Sequence, residues 1–438
     1  MKSKSDLFEL IQSLDKNEKR YFKIFAQNLG SKATNYIRLF DAIAKQHEYN
    51  ERKIKQKFKG ETFIKQLGVT KNYLYKWILR SLENYHNSNT TEQSLLSYQK
   101  QIRVLIHKNL LEQALTLIEQ ATDLAKKHYK TSFVLDLLLL KDTVHRKLKF
   151  KGFSKKQIDY SYQESIDYLE RYKNEISYAL LRSKVLANVF LKGFQEENNL
   201  ILQELMENVA MQTAPQNQTA LAQIYYFFTQ SYIYFSCREF EQALVAYQHI
   251  FKLFEEHPIL KKEQLEIYSV AITNTMIVAR STKNNGLVAS TIKKAEAIKH
   301  QVPISAQLSL KIMICINQLY LARIAGDRLA IDKSIDNLKT IIDTHQNLID
   351  SANHIYLKGI LTFAYFITEQ YPKAWDCIDE LWEKEERGKY PMLYRGLHIL
   401  KILILYELDE DLMLPNTIQS TIRFLEKNGA LLKPEKLF

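Results

Sequence analysis

Glycine and proline are scarce in this chain, with 11 Gly and 7 Pro among 438 residues. So little material that accepts positive φ or stops a helix excludes a protein built on hairpins, tight strand-to-helix turns or phosphate-cradling loops. Long helices are favoured instead. All the prolines lie at or after Pro215, and Pro215, Pro258, Pro303, Pro372, Pro391 and Pro415 fall where helices would start, a position at which a missing N–H costs nothing. Cysteine is also scarce. Cys237, Cys315 and Cys377 stand far apart within apolar helical patterns, which excludes a disulfide framework and predicts reduced core thiols in a cytoplasmic protein. The longest apolar runs, at 135–140 and 399–405, fall short of the roughly 18 residues a membrane span needs. The first residues lack the apolar core of a secretory signal, so no membrane partner is expected.

Catalytic signatures are missing as well. There is no GxGxxG, GxxxxGK[ST] or GxSxG, and the 11 histidines form no HExxH and no zinc spacing with the cysteines. These absences predict a protein that is not an enzyme and holds no cofactor or metal.

What is present is charge of one sign, unevenly placed. The formal net charge is +12, and residues 1–90 hold +9 of it. Helical periodicity divides this basic region into short segments at 6–14, 15–28, 35–46, 51–59, 61–67 and 71–85, enough for a small helical bundle domain over 1–90. The second segment opens with Asp15-Lys-Asn-Glu18, a capping-box start.

From 91 to 438 a different pattern takes over. Residues 221–257 form one helix pair, of which 221–236 is apolar almost all round and 238–255 carries Phe240, Ala243, Leu244, Tyr247, Ile250, Phe251 and Phe254 on a single stripe. Such a pair must be covered by copies of itself. Pairs can be started near 93, 132, 175, 217, 262, 305, 351 and 391, a period of about 43, which signals an α-solenoid. Gly152, Gly193, Gly286, Gly326 and Gly388 fall at the expected helix ends. The expected fold is therefore all-α, with about eight antiparallel helix pairs behind the N-terminal bundle.

The second helices carry a further signature. Ala243, Tyr247 and Ile250, with Ser231 and Tyr234 in the preceding helix, resemble the tetratricopeptide repeat (TPR), as do Ala374, Ile378 and Leu381 with Tyr365, and Ala114, Ile118 and Ala121. The small alanine lets two helix axes approach closely. The period exceeds the family's usual length and overlaps that of HEAT-like arrays, so the chain is TPR-like with elongated helices. The resemblance implies a superhelix whose inner face, lined by first helices, holds a protein or peptide partner. Carried onto this chain, the groove positions are Tyr225, Phe228, Tyr232 and Phe235 in one repeat and Tyr356, Phe363 and Phe366 in another. The last residues, including Leu431, Leu432, Leu437 and Phe438, are expected to cap the open end.

Residues 60–79, GETFIKQLGVTKNYLYKWIL, resemble a helix-turn-helix motif. Gly68 stands at the turn, and Phe63, Leu67, Val69, Leu74 and Trp77 hold the apolar positions. Thr70 would open the recognition helix, which leaves Lys71, Asn72, Lys76 and Arg80 to meet phosphates or base edges. Ile64 departs from the pattern, where a small residue is usual, and the linker 86–93 leaves no room for a β wing. The segment 51–80 carries +7, including Arg52, Lys53 and Lys57, as a phosphate-binding surface requires. Two readings stand side by side: a non-enzymatic peptide-binding scaffold, or a DNA-binding transcriptional regulator whose repeats sense a ligand or dimerise.

Overall fold

Every regular element in the computed structural model is helical, and no strand occurs among the described residues, which are 6–27, 33–85, 90–192, 218–345, 348–383 and 391–427. The chain separates into two compact units, Met1–Ser161 and Tyr162–Phe438. The boundary drawn from charge at 90/91 lies inside the first.

The first unit opens with α1 (Asp6–Ser13), α2 (Lys16–Gln27), α3 (Ala33–Ala44), α4 (Glu51–Lys57), a 3-10 turn (Thr62–Gln66) and α5 (Leu67–Tyr85). The capping box forms as the sequence predicts: Asp15 Oδ1 accepts from the Glu18 N–H at 2.8 Å, and Glu18 Oε2 accepts from the Asp15 N–H at 2.8 Å. Leu7, Ile11, Phe22, Leu39, Phe40, Ile43, Ile54, Leu74 and Ile78 share one dry core, with the Phe22 and Phe40 rings 4.6 Å apart. Burying each such side chain contributes about 1.5–3 kcal/mol, so these short helices gain their stability from one another.

Here the helix-turn-helix expectation needs correction. Gly68 is the second residue of α5, within the helix and not at a turn, and the segment before it is a single 3-10 turn, not a helix. A glycine in the first helical turn interrupts nothing, because the N–H groups there have no intrahelical partner to lose. The helix before α5 is α4, separated from it by residues 58–66. The unit continues with α6 (Thr91–His107), α7 (Leu111–Lys127) and α8 (Thr131–Lys147).

A second correction concerns the pair expected to start at 175. Lys155–Lys192 is one helix of 38 residues, α9. It contains no Gly or Pro, so nothing in its sequence stops it.

The second unit then follows the expected period closely. Its helices are α10 (Ala220–Ser236), α11 (Phe240–Glu256), the short α12 (Pro258–Glu263), α13 (Leu265–Ser281), α14 (Asn285–Ile298), α15 (Ile304–Ala325), α16 (Arg328–Thr344), α17 (Ser351–Ile367), α18 (Tyr371–Glu383), α19 (Pro391–Glu407) and α20 (Leu414–Lys427). First helices begin at Ala220, Leu265, Ile304, Ser351 and Pro391, against expected starts near 217, 262, 305, 351 and 391. Each packs on the second helix that follows it and on its neighbours in sequence, the layout of a helical solenoid. α10 buries residues on nearly every side, whereas α11 buries the stripe Ala243, Leu244, Tyr247, Ile250 and Phe254. Residues 346–347, Gly193 and Gly388, like the capping residues 431–438, lie outside the described residues.

One backbone device closes each of these pairs. Arg238, Lys283, Gly326, Glu369 and Asp409 all adopt φ between 55° and 66° between the first and second helix of their pairs. In each corner the next N–H reaches back five residues, as from Glu239 to Tyr234 O at 2.8 Å and from Gln370 to Tyr365 O at 2.9 Å. This is a left-handed C-terminal cap of Schellman type, which satisfies the last carbonyls and reverses the chain. Asn109 and Tyr129 do the same between α6 and α7 and between α7 and α8. Asn284, Asp327, Asp350 and Thr219 then cap the helices that follow, each accepting a backbone N–H through its side chain.

Candidate functional site

In the second unit the two glycines inside α17 and α19 shape a groove. Ile355, Tyr356, Gly359, Ile360 and Phe363 of α17 face Gly396, Leu397, Ile399, Leu400 and Leu403 of α19 across a cavity of about 420 Å³. A Cβ at Gly359 would stand 3.0 Å from Leu397 Cδ2, so only glycine lets the helices come this close without displacing Leu397. Gly396 is exposed, and a Cβ there would meet nothing within 4 Å. The first glycine brings the walls together, and the second leaves the floor open. Ile355, Leu397 and Leu400 are buried at the base, while Tyr356 (40%), Phe363 (43%) and Leu403 (37%) remain exposed at the rim. No charged side chain lines the groove. Such a surface binds by excluding water from apolar side chains, and it offers no acid, base or nucleophile.

The seven residues expected to line a groove fall into distinct environments. Tyr356 and Phe363 are in it. Phe366 is not: it packs half-buried on the core of the last repeats, with its ring 5.6 Å from Tyr371. In α10, Phe228 is fully buried and meets Tyr247 edge-on at 6.1 Å, so it is a core residue. Tyr225 lies under the Arg182 guanidinium, 4.9 Å from its ring centre. Tyr232 accepts a hydrogen bond from Asn274 Nδ2 at 3.0 Å, and burial pushes its hydroxyl pKa up. Phe235 is half-buried against Phe240. The four α10 aromatics therefore serve packing. Sequence reasoning missed the α19 wall and both glycines, although two glycines inside apolar helices of a glycine-poor chain were a readable signal.

A second cavity, of about 290 Å³, lies on α16, α17 and α18 and is polar. Lys339, Lys358 and Lys373 line it together with Asp343, Asp376 and Glu380, so its charges balance. Burial, the largest single effect, would lower the Lys358 pKa, but the 2.6 Å bond to Glu380 and the charges of Glu380, Asp343 and Cys377 together outweigh it, and the ammonium is held above its ordinary value. Burial pushes the Cys377 thiol up, away from the thiolate a nucleophile requires. Among the described residues no group of His, Cys, Asp and Glu could hold a metal ion.

The residues expected to meet nucleic acid divide in the same way. Lys71 is buried and points inward, donating to Glu51 Oε2 at 2.8 Å and to the Tyr49 hydroxyl at 3.1 Å. It shares the helix face of Leu67, Leu74 and Ile78, and its role is to tie α5 to α4. Arg52, Lys53 and Lys57 of α4, and Asn72, Lys76 and Arg80 of α5, are all exposed. Among the described residues one stretch, Ala306–Ala325 in α15, is long and apolar enough to cross a membrane, and it packs within a helical pair. No family model, curated protein or solved structure matches this chain, so its reading rests on its own residues.

Proposed function

We propose that this protein is a non-enzymatic, cytoplasmic scaffold of TPR-like repeats that holds a peptide segment of another protein in the groove between α17 and α19. The observation that carries the reading is the open apolar trough, lined in part by Gly359 and Gly396, with Tyr356, Phe363 and Leu403 exposed at its rim. Aromatic rims of this kind bury large area at low entropy cost when a partner docks. Three free cysteines, of which Cys315 and Cys377 are buried, suit a reducing compartment. The occupant it fits is a short segment presenting two or three large apolar side chains, since the trough has no charge to recognise one.

The test is selection of 12-residue peptides from a random display library on the full chain, followed by fluorescence anisotropy of the selected peptides. Gly396→Leu fills the floor without touching the core, and Phe363→Ala removes a rim anchor. The reading expects apolar-anchored peptides that lose about tenfold or more on each variant, in line with about 1.4 kcal/mol per decade. Peptides that bind both variants as tightly as the unmodified chain would place the binding surface elsewhere.

A further inference from the structure

Both acids of the segment 51–80 are held in ion pairs, and this changes what the first unit presents to its surroundings. Glu51 is held by Lys71 and by Lys55, and Glu61 by Arg38 at 2.8 Å. Lys71 and Arg38 both bond inward or along the body. The remaining cations of the segment, Arg52, Lys53, Lys57, Lys59 and Lys65 together with Lys76 and Arg80, are exposed and make no ion pair among the described residues. The Glu51–Lys71 pair fixes α4 against α5, so these charges belong to one small rigid body and are not spread along a flexible chain.

α5 adds shape to this charge. Its buried face is Leu67, Lys71, Leu74, Ile78 and Ser81. The opposite face carries Val69, Asn72, Tyr73, Lys76, Leu79 and Arg80 in the open, with Val69 and Tyr73 each about half exposed. At 100° per residue these six fall within about a third of the helix circumference. Glu83 follows one turn beyond Arg80 and is the acid on that face. An exposed helix face that alternates an amide, an aromatic ring and two cations is an unusual way to solvate a surface, because Val69, Tyr73 and Leu79 gain nothing from water.

We propose that this face of α5 docks on double-helical nucleic acid. A helix about 10–12 Å across fits the roughly 12 Å major groove of DNA. The stretch from Val69 to Arg80 rises about 16 Å, enough to follow four or five base pairs. Lys76 supplies a phosphate contact, and the exposed α4 cations add to the positive field of the same unit. Asn72 and Arg80 have the planar donor geometry that meets adenine and guanine edges, and Tyr73 and Val69 have the apolar surface that meets a thymine methyl. An anionic bilayer would instead select a continuous apolar stripe, and here each exposed apolar residue is flanked by a polar one. The proposal is independent of the α17–α19 groove.

The experiment is fluorescence anisotropy of a labelled 25-base-pair random duplex with the full chain, over a salt series from 50 mM upward. The variant Lys76→Glu/Arg80→Glu removes two cations from the face, and Tyr73→Ala removes the ring without changing charge. Lys262→Glu/Lys333→Glu makes the same charge change at exposed sites of the second unit. The expected result is binding whose log–log salt slope falls in magnitude by at least about one in Lys76→Glu/Arg80→Glu, from the phosphate contact of Lys76, with at least a tenfold loss of affinity. Tyr73→Ala should lose severalfold with an unchanged slope, and Lys262→Glu/Lys333→Glu should bind like the unmodified chain. Absence of binding at 50 mM salt overturns the proposal, and so does an equal loss in the two charge-reversal variants. Vesicles of one-third phosphatidylserine are the remaining arm, and their capture without capture of the duplex would assign the face to a membrane surface.

Discussion

Replacing Lys283 and Glu369 by glycine, singly and together, perturbs only the corner conformation of two helix pairs. Both side chains are exposed and form no ion pair among the described residues, while their backbones sit at φ 55° and 60°. An L-residue in the left-handed region costs roughly 1–2 kcal/mol from the clash of Cβ with the following carbonyl. Glycine relieves that clash but brings about 0.5–1 kcal/mol of extra backbone entropy to the unfolded chain. The net expectation is a gain of about 0.5–1 kcal/mol per corner, and about 1–2 kcal/mol for both, since the two corners share no partners. Asp409, in the same conformation, should gain less, because aspartate tolerates this region better than lysine or glutamate. Gly326→Ala is the reverse experiment, and it should cost about 1 kcal/mol at φ 66°. Urea unfolding followed by far-ultraviolet circular dichroism reads the shifts, and for a slope of about 3 kcal/mol/M the double variant should move the midpoint up by roughly half a molar unit. If the glycine variants are destabilised while Gly326→Ala is neutral, positive φ is not a cost at these corners and the account of them is wrong.

Gly396→Ala should raise stability by about 0.5–1 kcal/mol, since the position lies inside α19 and a Cβ there meets open space; thermal unfolding checks it. Gly359→Ala should be neutral or destabilising despite its helix propensity, because the new methyl meets Leu397 at 3.0 Å. Hydrogen bonds from Lys71 and Lys55 hold the Glu51 carboxyl down at about 2. A folded-state value below the unfolded one means stability present at neutral pH and lost as pH falls from about 4.5 towards 2; acid titration of Glu51→Gln should show a smaller loss over that window. Burial pushes the Cys315 thiol up to about 11, so a thiol reagent at pH 8 should modify the half-exposed Cys237 first and Cys315 only on unfolding.

Much of the array was readable because local signals agreed with one another. Ser351 starts α17 where the apolar period placed it, directly after an Asp350 that caps it. The Asp15–Glu18 box could be read from four residues because it is built from four residues. The failures share a different cause. α9 carries no punctuation, so a break had to be placed by period alone, and the helix ran through it. Phe228 and Phe363 look alike in sequence, but Phe228 is covered by Tyr247 of the following helix, whereas Phe363 faces a groove lined by Gly359 and Gly396. Burial of this kind is set by residues on other helices and has no local signature. Lys71 was a partial exception. Its spacing from Leu67, Leu74 and Ile78 already put it on the apolar face, and its partner Glu51 lies 20 residues away.

The corners that close the helix pairs carry a consequence for how this protein can be recognised. Their requirement is a conformation and not a chemical group: lysine, glutamate, arginine, aspartate and glycine all occupy the same left-handed position in successive pairs. A repeat specified this way keeps its spatial period while its spelling drifts, since any residue willing to bear roughly 1–2 kcal/mol can stand at the bend. The units of such an array become strangers to one another as text long before they differ as objects. Backbone torsions, compared pair by pair, therefore show a regularity of the array that its letters do not.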